Sequence, residues 1–219
     1  MKVDFHCHCN VADPEKVKEF VRAYEERDAI ACIVGGPLYG GHDMVPNEEV
    51  IKICAQYPGR MYPLAKITLW DQAPDPAELK YKRPVLRNMD PMTLDRIARS
   101  FQKLHIVMAH LGTSVWRIQT AELLKIHANL YSDLGGCGSW MALSAEQLSE
   151  LLRPLLFVRG KDDHYFDKLV FGSDSYTSNI WPFTEGLVNY EMKLKKAGVS
   201  EETQKKVMGE TVASWIGLK

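Results

Sequence analysis

Short runs of mostly apolar residues recur along this chain. Each stops abruptly at glycine or a polar residue and is followed by a helical pattern. Ala29 to Val34 ends at Gly35-Gly36-Pro37, Ile106 to Ala109 at His110-Leu111-Gly112, Leu130 to Leu134 at Gly135-Gly136, and Leu169 to Gly172 at Ser173-Asp174. A strand that is apolar on both faces needs cover on both faces, and a parallel sheet flanked by helices supplies it. Lys2 to Cys9 and Met61 to Leu69 bring the predicted strands to six.

Between and after them the spacing predicts helices over Pro14 to Arg27, Pro46 to Tyr57, Pro91 to Phe101, Ser114 to Ala128, Ser144 to Leu152, Phe183 to Ala197 and Glu201 to Met208. A short Val212 to Ile216 segment closes the order. Asp13-Pro14 reads as a cap with proline at the first helical position. Ser144 and Gln147 stand at capping-box spacing. An open doubly wound sheet and a closed barrel both satisfy this order, and both place their sites at the C-terminal ends of the strands.

Charge narrows the class of partner. The 219 residues carry 27 Lys and Arg against 28 Asp and Glu, and no basic run stands out. That balance argues against a nucleic-acid or membrane footprint and for a small-molecule substrate. The length suits one large domain or two small ones, and the chain is read as a single barrel domain over residues 1–219. Five cysteines without the spacing of a disulfide framework point to a reducing compartment. With no signal-like start and no apolar run of about 18 residues, the expected location is the cytoplasm.

Three motifs carry chemistry. In Asp4-Phe5-His6-Cys7-His8-Cys9, strand alternation puts His6 and His8 on one face and Cys7 and Cys9 on the other. Two imidazoles so placed can chelate one Zn, Mn or Fe ion. In Val170-Phe171-Gly172-Ser173-Asp174, a carboxylate stands at a strand's C-terminal end, where it can bind metal or take a proton. In Ile106-Val107-Met108-Ala109-His110-Leu111-Gly112, a histidine stands at a strand mouth, as ligand, acid–base group or structural residue. If the last strand pairs with the first, as in a closed barrel, Asp174 comes beside His6 and His8, because paired strands lie about 4.8 Å apart.

Taken together these motifs resemble the amidohydrolase superfamily, and in particular the branch containing aminocarboxymuconate semialdehyde decarboxylase. Gly209-Glu210-Thr211-Val212-Ala213 is similar to that branch's closing helix start, with Thr211 where asparagine is usual. The resemblance implies an α/β fold of the TIM-like (β/α) barrel type. It implies one divalent ion, zinc ahead of manganese or iron, on His6, His8 and Asp174, with His110 beside it. It further implies hydrolysis or decarboxylation of a small carboxylated or carbonyl compound through a metal-activated water, with Asp174 or His110 receiving a proton. Family habit adds a homodimer.

His42, in the loop after the second strand, is a candidate substrate contact. Arg87 or Arg117 could hold a substrate carboxylate. The chain departs from the family in the middle. The family supplies a further metal-binding histidine after a Pro-Val pair, whereas here Pro84-Val85-Leu86 leads into Arg87-Asn88-Met89, and no histidine lies between His42 and His105. The stretch from Trp70 to Asp90 is too short for two strand–helix units of about 30 residues each. The barrel is therefore expected to be shortened or distorted around its fourth and fifth strands. The missing histidine supports a rival reading, a non-catalytic barrel that binds or regulates. A phosphoesterase of the His-x-His type ranks lower, because such enzymes use more ligands and ions.

Overall fold

The computed structural model describes residues 1–36, 44–64, 90–136, 140–155 and 164–218. His42, Arg87 and the Pro84-Val85-Leu86 segment lie outside them. Strand β1 (Lys2–His8) runs parallel to β2 (Ala29–Val34), and β2 parallel to β3 (Met61–Leu64). On its other side β1 pairs in parallel with β6 (Ser175–Tyr176). A separate parallel pair joins β4 (Ile106–Met108) to β5 (Leu130–Ser132).

Residues 169–174 link the two sheets. Leu169 bridges Ser132, and Val170 N–H donates to the Ser132 carbonyl at 2.9 Å. On the opposite edge Phe5 N–H donates to the Phe171 carbonyl at 2.9 Å, and Asp174 N–H to the His6 carbonyl at 2.7 Å. The result is one parallel arc in the order β3, β2, β1, residues 169–176, β5, β4. Among the described residues β3 and β4 do not pair, and the arc of this TIM-like barrel is open between them. The sequence predicts a regular strand over Leu169 to Gly172. Here the Phe171 N–H turns to the Val207 carbonyl instead of a neighbouring strand, which interrupts the ladder until Ser175.

The two faces of the arc have separate apolar layers. Ala29, Ala31 and Ile33 pack outward with Val17, Phe20, Val21 and Tyr24 of helix α1 (Pro14–Glu25) and Val50, Ile53 and Cys54 of α2 (Asn47–Ala55). Each fully buried Val, Ile or Phe among them contributes roughly 1.5–3 kcal/mol. Asp13 caps α1 by accepting the Lys16 N–H, with Pro14 in the first turn. Ile30 and Cys32 point the other way, joining Val3, Val170, Val212 and Ala213 on the inner face, with Phe5, Tyr62, Val107, Tyr131 and Trp215 packed against them.

Strand β1 changes sides partway. Val3 and Phe5 belong to the inner layer, yet Cys7 and Cys9, of the same parity, belong to the outer one. The register explains this: Asp4 pairs with Ala31 and the next pair is Cys7 with Ile33, so three steps on β1 match two on β2. That is a β-bulge, a device that re-aims side chains.

The remaining helices are α3 (Leu94–Ser100), α4 (Thr113–Ile126), α5 (Ala145–Leu152) and α6 (Trp181–Lys196). Both hydrogen bonds of the Ser144–Gln147 capping box are present at the start of α5. The expected helix over Glu201 to Met208 stops early. Helix α7 (Glu201–Lys205) passes into a π-type turn over Lys206–Glu210, broken at Gly209, and then into α8 (Thr211–Trp215). Among the described residues no helix is long and apolar enough to cross a membrane.

Candidate metal centre

The bulge delivers His6 and His8 to the C-terminal end of β1 on the inner side. His6 Nε2 lies 3.1 Å from His8 Nε2. Asp174 Oδ1 lies 2.9 Å from His8 Nε2 and 3.6 Å from His6 Nε2. Asp174 is drawn there by its own N–H on the His6 carbonyl and by the β6–β1 ladder that begins one residue later. Ligands at 2.0–2.1 Å around a tetrahedral zinc stand about 3.3 Å apart. The three measured separations straddle that value, so the donor set fits one divalent ion.

Asp4, on the same strand, does not join them. The bulge leaves it on the outer side, buried, where it accepts hydrogen bonds from Tyr24 Oη (2.7 Å), Ser173 Oγ (2.6 Å), Ser173 N–H (3.0 Å) and His6 N–H (3.1 Å). Asp4 thus clamps β1 to the 173–175 segment that carries Asp174. Cys7 and Cys9 also face outward, and burial pushes both thiols up, Cys9 to about 11.

A residue the sequence reading passed over sits at the centre of the arrangement. Asp133 follows β5 and is buried. Its Oδ2 accepts the His6 Nδ1–H at 3.0 Å, and its Oδ1 accepts the backbone N–H groups of His110 at 2.9 Å and Gly135 at 2.7 Å. The signal was available: Asp133 is a carboxylate near the end of the predicted strand Leu130 to Leu134, as Asp174 is just past Leu169 to Gly172.

His110 lies beside this group, its ring centroid 5.0 Å from that of His6. Its Nδ1–H donates to the Gly135 carbonyl at 2.7 Å, which makes Nε2 the basic nitrogen of the ring. Among the described non-glycine residues five have positive φ, and four of these, His110, Leu111, Thr113 and Asp174, are at or next to the site. Each left-handed residue costs roughly 1–3 kcal/mol, and such strain gathers where function requires it. Gly136 (φ +74°) keeps the space between the two candidate acid–base groups open. A Cβ there would lie 2.8 Å from His110 Nδ1 and 3.3 Å from Asp174 Oδ2. Tyr176 stacks on His8 with centroids 4.9 Å apart.

The charges are organised as the contacts suggest. Burial works against a charge on His6, but the carboxylates of Asp133, Asp174 and Asp4 outweigh it and raise the imidazole to about 9. Burial also opposes charge on Asp133, yet the contacts with His6 and His110 hold it below the usual carboxylate range. His8 moves the other way: burial lowers it, and the charge on His6 adds to that against the pull of Asp174. Burial lifts Asp4 to about 6 against its four hydrogen bonds. Without metal, then, His6 carries the proton and His8 does not. The His6 Nε2 proton sits among the same three atoms that would grip a cation.

A family model described as amidohydrolase matches residues 5–218. The chain belongs to the amidohydrolase family. No curated protein matches it. Among solved structures, an amidohydrolase from Burkholderia multivorans with bound zinc aligns over 100% of both chains, with a TM-score of 0.61 and 14% sequence identity. Amidohydrolase 2 from Bifidobacterium longum subsp. infantis covers 100% of this chain and 99% of its own, with a TM-score of 0.51 and 12% identity. At such identities the likeness is one of fold. In this amidohydrolase the structure brings His6, His8, His110 and Asp174 together and adds Asp133. Of the other sequence-based candidates, His42 and Arg87 lie outside the described residues, and Arg117 stands on α4.

Proposed function

We propose that this amidohydrolase is a metal-dependent hydrolase or carboxy-lyase for a small carboxylated or carbonyl compound. The observation that carries the reading is the triangle of His6 Nε2, His8 Nε2 and Asp174 Oδ1, with separations of 3.1, 2.9 and 3.6 Å. These three residues would hold one divalent ion, zinc first, as in the structurally similar Burkholderia multivorans protein. When bound, such an ion polarises a substrate carbonyl and makes water easier to deprotonate.

The chain's own groups do the rest. Asp174 presents Oδ1 to the histidines, and its Oδ2 faces the gap at Gly136, where it can take a proton. His110, held by Gly135 through its Nδ1, can exchange a proton at Nε2. One group accepts and the other donates, which serves either hydrolysis or the protonation that follows loss of a carboxylate. His42 and Arg87 are assigned to the substrate on sequence grounds.

The test is elemental analysis of purified protein together with His6→Ala and Asp174→Ala variants, then a screen of lactones, esters, amides and β-keto or enoic acids. The expected outcome is about one zinc per chain, lost in both variants, with turnover reduced roughly 10²–10⁴-fold in Asp174→Ala. A chain that takes up no metal on reconstitution refutes the reading. Stoichiometric metal with no turnover across the panel favours the binding or regulatory alternative, which the absence of a histidine between His42 and His105 recommends.

A further inference from the structure

We propose that Asp133 is a positioning residue that selects which nitrogen of His6 faces the metal and sets His110 in register with it. The proposal rests on the metal-site reading and assigns the buried carboxylate behind it. The two oxygens of Asp133 have separate tasks. Oδ2 takes the Nδ1–H of His6 at 3.0 Å, so the lone pair of the neutral ring is at Nε2, the atom directed at His8 and Asp174. Oδ1 takes the N–H of His110 at 2.9 Å and of Gly135 at 2.7 Å. Gly135 in turn offers its carbonyl to His110 Nδ1 at 2.7 Å. The backbone of His110 (φ 60°) is therefore held in its left-handed turn from one side, and its ring from the other, by groups anchored on Asp133.

The packing leaves this carboxylate little freedom. Its side chain is 1% exposed. The neighbouring strand approaches so closely at Gly172 that a Cβ there would lie 2.8 Å from Asp133 Cβ and 2.9 Å from His6 Cβ. A carboxylate behind a metal-binding histidine raises the basicity of the ring and fixes its orientation, and its loss typically costs 10–100-fold in metal affinity.

Asp133→Asn separates the two tasks. The amide oxygen can still accept from His110 and Gly135, but an NH₂ now faces His6 Nδ1. The ring must then put its proton on Nε2, where the metal should bind. Cobalt(II) titrations of wild type, Asp133→Asn and His110→Ala, read by the visible absorption of the bound ion, test the assignment. The expected result is a Kd roughly 10–100-fold weaker in Asp133→Asn, with an altered spectrum, and unchanged binding in His110→Ala. Equal affinity and an unchanged spectrum in folded Asp133→Asn overturn the proposal.

A wild type that binds no cobalt refutes the metal-site reading instead. The tautomer can then be read without metal or substitution, from the ring ¹⁵N shifts of His6 in the wild-type protein above about pH 9. A proton on Nδ1 supports the role of Asp133, and a proton on Nε2 overturns it. The same measurement decides the matter if Asp133→Asn fails to fold.

Discussion

Two Ser-Asp pairs stand on neighbouring strands of this barrel, Ser132-Asp133 after β5 and Ser173-Asp174 ahead of β6. Both carboxylates reach His6, from opposite sides of its ring. Asp133 meets Nδ1 at 3.0 Å and is 1% exposed. Asp174 lies 3.6 Å from Nε2 and is 21% exposed. Only Asp174 has a left-handed backbone, at φ 61°. One aspartate is thus built into the floor, with three protein donors on it, and the other is turned toward open space with a candidate ligand oxygen. The lesson is that the same dipeptide at the same kind of strand end takes its role from which ring nitrogen it faces. That is set by strand order and backbone turn, not by local sequence.

Stability should separate the two most sharply. Asp133→Ala strands the His6 imidazolium and two buried N–H groups, and breaking a buried pair from one side costs about 3–5 kcal/mol. Asp174→Ala in the metal-free protein should cost about 1 kcal/mol or less, because water reaches that side of the ring. Urea unfolding of the metal-free variants measures both, and equal losses would break the comparison.

A smaller loss should follow when the floor is pressed rather than cut. Gly172→Ala adds a methyl group against Asp133 and His6, which should cost about 1–3 kcal/mol through overpacking. Thermal unfolding reads this, and a neutral result would show that the floor is looser than the distances say.

The smallest effect is one of pH. His6 is raised to about 9 in the folded chain, above the ordinary value of about 6.5. Its pairing with Asp133 therefore stabilises the metal-free fold fully below about pH 6.5, and that contribution is lost as the pH rises through about 9. Metal must displace that one proton, while His8, lowered by burial, adds none near neutrality. Zinc affinity should fall about tenfold for each pH unit between about 8.5 and 6.5. Competition with a chelator at three pH values gives the slope. Asp133→Asn should flatten it, and a pH-independent affinity in the wild type would rule out His6 as the proton carrier.

Much of this was readable in the residues. Apolar runs ending at Gly, His or Asp announced a parallel sheet with its polar ends on one rim. Period-two alternation separated His6 and His8 from Cys7 and Cys9, and the pairing of first and last strands drew Asp174 toward His6 and His8. Asp133 was missed because Leu130 to Leu134 reads as one strand ending at Gly135-Gly136, which leaves Asp133 inside it rather than at its end. Its burial behind His6 depends on Leu169–Asp174 lying between β5 and β1.

The sequence by itself determined the elements, the family and the shared face of His6 and His8, because periodicity and strand parity are local properties of the chain. Only the tertiary structure decided the bulge between Asp4 and Cys7, the left-handed turns at His110 and Asp174, and the seat of Asp133. Each of these is held by hydrogen bonds between strands far apart in sequence, Asp4 with Ser173, His6 with Asp174 and Asp133, and Asp133 with His110. No local pattern encodes such bonds.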